Sequence, residues 1–125
     1  PSAMQFQGDL ASGEGLSAEV LRQSQTWQTA GHKGYVVGAT YPQELAVARE
    51  LAPRANFLIP GIGAQGGNLE SAVRYGPDKV AGPVISASRS ILYADMAGDS
   101  AGRDFAAAAR QTADNLRQQI NALRE

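Results

Sequence analysis

Asn56-Phe57-Leu58-Ile59-Pro60-Gly61-Ile62-Gly63-Ala64-Gln65-Gly66-Gly67-Asn68 is the stretch that decides the fold. Its first four residues form an apolar run of strand length, and Asn68 is placed to cap a short helix through Tyr75. Between them stand four glycines in seven residues, backbone that must bend sharply or approach something closely. Strand, glycine loop and helix start in that order make an anion site, because free N–H groups converge there with the positive end of the helix dipole.

Working outward, the same alternation continues on both sides. Leu16, Val20, Leu21 and Trp27 predict a helix ending near Gly31, with Trp27 as a core anchor. Gly34–Ala39 reads as a buried strand. Thr40-Tyr41-Pro42-Gln43 has capping-box spacing, and the helix it opens carries Leu45, Ala48 and Leu51 on one face and halts at Pro53. After the glycine loop and its helix, a third strand spans about Ala81–Ala87 and a helical turn about Ser90–Ala94. Phe105, Ala109, Ala113, Leu116 and Ile120 mark a long amphipathic helix towards the C-terminus. Strict alternation of helices with short buried strands predicts an α/β fold with a parallel sheet. The 125 residues read as a single segment, 1–125.

Composition narrows the partners. With 43% hydrophobic and 18% charged residues the chain reads as a globular protein. A net charge of −1 gives no reason to expect nucleic acid or an anionic membrane, and no run reaches the roughly 18 apolar residues of a membrane span. The absence of cysteine removes disulfides and thiol chemistry and fits a cytoplasmic protein. The first residue is Pro1, so the chain is expected to be a piece of a longer polypeptide or to have lost an initiator.

In α/β folds ligands gather at the C-terminal ends of the strands. That rule puts Thr40, the loop Pro60–Gln65 and Ser86–Arg89 on the ligand face. These are neutral groups and one guanidinium, with no evident general acid or base. Gln65 reads as an amide donor to a phosphate oxygen, or else as a polar residue of a flexible loop. Arg89, where a strand ends and a helical turn begins, reads as a phosphate ligand, or else as a surface cation paired with a carboxylate. His32, Lys33, Asp78 and Lys79 precede strands and belong to the opposite, structural face.

Two glycine motifs compete. Gly61, Gly63 and Gly66 satisfy G-x-G-x-x-G, a dinucleotide signature. Such a fold wants an acidic residue about 20 residues on, at the end of the next strand, where this chain has Ser86-Ala87-Ser88-Arg89. The other motif is a barrel phosphate site, formed by the loops after the last two strands of a (β/α)8 barrel together with a short extra helix. The three strands are then strands six, seven and eight.

The residues resemble a known family. Phe57–Asn68 resembles the strand-seven signature of orotidine 5′-phosphate decarboxylase, and Val37-Gly38-Ala39-Thr40-Tyr41-Pro42-Gln43-Glu44-Leu45 its strand-six segment in the bacterial subgroup with longer chains. Ser88-Arg89-Ser90-Ile91-Leu92-Tyr93 resembles its strand-eight phosphate loop, and Pro1-Ser2-Ala3 with Phe6-Gln7 the segment leaving strand five. The resemblance implies the C-terminal part, strands 6–8 and their helices, of a TIM (β/α)8 barrel. It implies decarboxylation of orotidine 5′-phosphate to UMP in pyrimidine biosynthesis, without metal or organic cofactor. It implies that Gln65 and Arg89 hold the substrate phosphate, that Ser88 offers its backbone to the same group, and that Pro60, Ile62, Gly61 and Gly63 line the pocket. Asn68 stands where the family often has aspartate, and Ser88 where glycine is common. The family's Asp-x-Lys-x-x-Asp network has no match: the only lysines are Lys33 and Lys79. The expected partners are therefore the missing N-terminal half of the barrel and a second copy in a homodimer. The alternatives are a non-catalytic phosphate-binding half-barrel and, more remotely, a dinucleotide-binding oxidoreductase.

Overall fold

The structure, a computed structural model, describes residues 15–77, 82–94 and 104–124. The elements in chain order are α1 (Leu16–Thr26), β1 (Gly34–Val36), α2 (Pro42–Leu51), β2 (Asn56–Pro60), α3 (Leu69–Tyr75), β3 (Val84–Ser86), α4 (Ser88–Leu92) and α5 (Phe105–Ala122). The strands form one parallel sheet in the order β1-β2-β3. Every neighbouring pair is joined by a helical crossover, as parallel pairing requires.

The pleat divides the sheet into two faces with different fates. Phe57 and Ile59 of β2 point to the helices and are fully buried, joined by Tyr35 and Ile85 from the flanking strands. Leu45 and Ala48 of α2 and Ala72 of α3 close this core from above. On the other face the register sets Val36 opposite Leu58 and Leu58 opposite Val84. This row crosses all three strands, and its side chains are 69%, 39% and 64% exposed. It is an apolar layer that no described residue covers.

The ends of the helices depart from the sequence reading in instructive ways. Helix α1 stops at Thr26, and Trp27 sits at its C-cap in extended conformation, 60% exposed. Trp27 is not a core anchor, because the chain leaves the helical path before the indole reaches the buried face. Instead Ser24 is the buried polar group of α1, donating to Leu21 O at 2.7 Å and pairing with the Tyr35 hydroxyl at 2.8 Å. The Thr40 capping box does not form: Tyr41 is the N-cap, with no side-chain cap, and Pro42 opens α2. Proline tolerates that position because the N–H it lacks has no helical partner there. Asn68 does cap α3, its Oδ1 accepting from Ser71 N–H at 2.8 Å. Helix α4 begins at Ser88, two residues earlier than its expected start. Asp104 caps α5, where Leu116 packs on the core but Phe105, at the first position, is 69% exposed.

At the N-terminal end of the sheet Arg49 gathers four backbone carbonyls from two chain segments. Its guanidinium donates to Tyr75 O at 3.0 Å, Ala52 O at 2.9 Å, Ala55 O at 3.0 Å and Gly76 O. It also lies 3.8 Å from the centre of the Phe57 ring. These carbonyls include those at the ends of α2 and α3, which have no partner within their own helices. One planar fork thus satisfies both helix ends and stacks on the largest core side chain.

Candidate functional site

The glycine loop leaves β2 at Pro60 and is bound back onto the chain at three points. Gly66 N–H donates to Gly63 O at 2.8 Å, Gly67 N–H to Gly61 O at 2.9 Å, and Asn68 N–H to Ala39 O at 2.9 Å. Ala39 N–H in turn donates to Pro60 O at 3.1 Å, so the end of the β1 segment clasps the loop. Gly61, Gly63 and Gly66 all have positive φ (98°, 81° and 73°), a region that costs an L residue about 1–2 kcal/mol. Gly67 is required for a different reason. A Cβ there would lie 2.5 Å from Gly61 O and 2.8 Å from Ala39 Cβ. Ile62 is buried and pins the loop to the core.

The second half of the site comes from the end of β3. Ser86 is paired with Pro60 in the register and so shares its open face. Ala87 precedes α4, and Ser90 Oγ donates to Ala87 O at 3.0 Å. Ser86 Oγ and Ser88 Oγ stand 3.3 Å apart.

Between the two loops lies a cavity of about 130 Å3. Gln65, Ser88, Arg89, Pro60, Gly61 and Ile62 all line it, and Ala64, Ser86 and Ala87 complete its wall. Its volume is on the order of four water molecules, room enough for a tetrahedral oxyanion. Among the described residues Arg89 is the one charged side chain in the lining, and no carboxylate of theirs faces it there. Arg89 is exposed, and its side chain makes no hydrogen bond or ion pair among the described residues. Gln65 Oε1 lies over Gly61, 3.1 Å from where a Cβ would be. Arginine, amide and hydroxyl groups bind an anion; none is suited to proton transfer near neutral pH.

Not every expected position lines the cavity. Gly63 does not; it faces Ser90 on the far side of the contact between the two loops. Thr40 stays at the rim, its Oγ1 3.8 Å from a Cβ built on Gly61. Ser86 belongs to the wall although only its strand-terminal position marked it; the signal was its register with Pro60, which a single sequence does not display. His32 and Lys33 lie before β1 at the opposite end, where Lys33 Nζ donates to Gln25 O at 2.8 Å. A wider cavity of about 410 Å3 adjoins them with Trp27 and Arg54, at the end of the sheet away from the strand C-termini. Asp78 and Lys79 fall outside the described residues. The dinucleotide motif also fares poorly, since Gly66 stands two residues before the Asn68 cap instead of inside α3.

No family model matches the chain. Among curated proteins it is 52% identical over 85 residues to an orotidine 5′-phosphate decarboxylase of Porphyromonas gingivalis, covering 68% of this chain and 31% of that protein. It is 44% identical over 120 residues to the enzyme of the same name from Haloarcula marismortui, covering 93% of this chain and 43% of the relative. Among solved structures it superposes on a Leishmania donovani UMP synthase with a TM-score of 0.78 and 34% identity, over 98% of this chain and 25% of the other. A Leishmania donovani OMP decarboxylase gives a TM-score of 0.74 and 30% identity, over 98% of this chain and 44% of the other. The chain spans less than half the length of each of these proteins.

Proposed function

The chain belongs to the orotidine 5′-phosphate decarboxylase family as a homologue of its C-terminal part, and from that premise we propose that it is the phosphate-holding segment of such a decarboxylase. Its fold is a partial α/β barrel, three parallel strands with their helices. The reaction of the complete protein is then loss of CO2 from orotidine 5′-phosphate to give UMP. The C–C bond to the carboxylate breaks, its electron pair stays on the pyrimidine carbon as a vinyl carbanion, and a proton replaces the CO2. No residue of this segment is assigned to that step. The groups that stabilise the carbanion and protonate it belong to the preceding strands, and the isolated chain is expected to be inactive.

The observation that carries the reading is the convergence of Gln65, Ser88 and Arg89 on one cavity at the strand C-termini. Arg89 supplies a fork of donors for two phosphate oxygens, Gln65 an amide donor, and Ser88 a backbone N–H. Pro60, Gly61 and Ile62 give the wall on which the rest of the nucleotide rests. Contacts this far from the reacting carbon lower the barrier when their binding energy holds a closed, water-free site.

The test is Arg89→Ala in the full-length enzyme carrying this segment. We expect kcat/KM for orotidine 5′-phosphate to fall by about a hundredfold or more, the scale of one lost charge-assisted phosphate contact. Orotidine, which lacks the phosphate, should lose far less. Equal losses for both substrates would remove the assignment.

Partners follow from the open face. Val36, Leu58 and Val84 are positioned as an inner barrel layer, to be covered by the remaining strands of a longer polypeptide, with a homodimer as the expected assembly. A cytoplasmic setting is part of the same reading and fits the cysteine-free sequence. In isolation the exposed layer and the two unpaired strand edges should drive self-association. Sedimentation of the 125-residue chain at micromolar concentration is expected to show species larger than a monomer. A monomer that unfolds cooperatively would contradict this picture. The second reading is a phosphate-binding module without catalysis, in keeping with a lining that holds only anion-binding polar groups among the described residues. UMP binding that persists in a full-length protein without turnover would support it.

A further inference from the structure

Three glycines of the loop share a backbone conformation and differ in what surrounds them. Gly61, Gly63 and Gly66 all have positive φ. Around Gly66 no described atom lies within 4 Å of a Cβ position. At Gly63 a Cβ would stand 2.7 Å from Ser90 Oγ and 3.1 Å from Ser90 Cβ. Ser90 is not a flexible tip that swings aside. Its Oγ is bonded to Ala87 O, and turning the hydroxyl away leaves the Cβ where it is. The β2 loop and helix α4 therefore touch glycine to serine, at a separation that admits no side chain between them.

We propose that Gly63 is a positioning residue for the phosphate site, setting the distance between Gln65 and Arg89 through its contact with Ser90. Gln65 belongs to the turn closed by Gly66 N–H to Gly63 O, and Arg89 immediately precedes Ser90. The two phosphate ligands thus flank a place where their loops meet at close range. A methyl group at position 63 forces the loops apart and widens the gap a phosphate has to span. Hydrogen bonds weaken steeply beyond their normal length, and displacements near 1 Å cost large factors in rate. Gly63 does not line the cavity. Its effect acts through Ser90 and is separable from ligand contact. The inference rests on the phosphate reading of the site and deepens it.

The experiment compares variants of the full-length enzyme carrying this segment, with kcat/KM measured for orotidine 5′-phosphate and for orotidine. Gly66→Ala reports the cost of placing an L residue at positive φ without a steric contact. Gly63→Ala is expected to lose about tenfold more than Gly66→Ala on the phosphorylated substrate, and no more than it on orotidine. Ser90→Gly removes both opposing atoms, so in that background the excess loss from Gly63→Ala should shrink to less than about threefold, as coupled neighbours behave in a double-mutant cycle. Ser90→Val approaches the same contact from the helix without straining the loop backbone. It should reproduce the phosphate-selective loss, which keeps the proposal testable if Gly63→Ala does not fold. Equal losses in Gly63→Ala and Gly66→Ala, an undiminished excess in the Ser90→Gly background, or unchanged selectivity in Ser90→Val would each overturn it. Arg89→Ala separates the two layers of the argument. Without a phosphate-selective loss in Arg89→Ala, the phosphate reading fails and this inference with it. With that loss present and none in Gly63→Ala, the positioning role alone fails.

Discussion

Arg49 and Arg89 are the same side chain used in opposite ways at the two ends of one sheet. At the N-terminal end, Arg49 is half-buried, donates to four backbone carbonyls and stacks on Phe57. At the C-terminal end, Arg89 is exposed beside a cavity and has no partner among the described residues. The difference shows where the chain commits its donors. Guanidinium groups committed to carbonyls fix the helix ends and contribute to stability. A guanidinium left uncommitted at a strand C-terminus contributes nothing to the fold and is available to an anion. The glycines follow the same division, since the three at positive φ among the described residues cluster at the Arg89 end, where the backbone is bent around the cavity.

The comparison breaks most readily at Arg49. Arg49→Ala strips a donor from four carbonyls and a cation from the Phe57 ring, and should destabilise the full-length protein by about 3 kcal/mol or more. Arg49→Lys should recover little, because an ammonium cannot reproduce the planar fork. Neither change should alter the preference for phosphorylated over unphosphorylated substrate in the molecules that remain folded. Urea denaturation and substrate selectivity measured on the same samples check both halves. A stability loss below about 1 kcal/mol would mean that water replaces the fork at no great cost.

Arg89→Ala is the reciprocal change. Its cost, about 2–3 kcal/mol, should appear in transition-state binding of the phosphorylated substrate. Its effect on unfolding should stay within about 0.5 kcal/mol, as for an exposed residue with no partner. A variant that loses as much stability as activity would place Arg89 in the structural class with Arg49 and erase the distinction between the two ends.

How much of this division could be read in the sequence depends on the range of the interaction. Local signals carried well: the alternation of strands and helices, the Asn68 cap and the strand-terminal positions of Gln65, Ser88 and Arg89 depend on residues a few positions apart. Contacts between segments distant in sequence did not. Nothing near Arg49 in the sequence singles it out, because its carbonyl partners at Tyr75 and Gly76 lie 26 and 27 residues away. The resemblance puts Gly63 in the pocket lining, and nothing in its neighbourhood announces Ser90. Trp27 and Phe105 read as core because periodicity registers residue type and spacing, while burial depends on whether the helix path continues and on what packs opposite. Both sit at helix ends, and both are exposed.

The smallest test lies at Asn68, where the two uses of polar groups meet in one residue. Asn68 stands in the ligand-end loop, yet its side chain is committed to Ser71 N–H at 2.8 Å and its own N–H to Ala39 O. By the logic that separates the arginines, it is structural despite its address. Asn68→Ala should therefore cost about 1 kcal/mol of stability, the usual price of a lost N-cap. Asn68→Asp should be neutral or stabilising by a few tenths of a kcal/mol, since a carboxylate accepts the same bond and favours the positive end of the α3 dipole. The carboxylate points at the helix and not at the cavity, whose lining does not include position 68, so phosphate selectivity should be unchanged in both variants. Selectivity that drops in Asn68→Asp while stability holds would show that negative charge at this position reaches the anion site. The boundary between the structural and the ligand-binding groups would then lie inside the loop, and the end of the sheet would no longer define it.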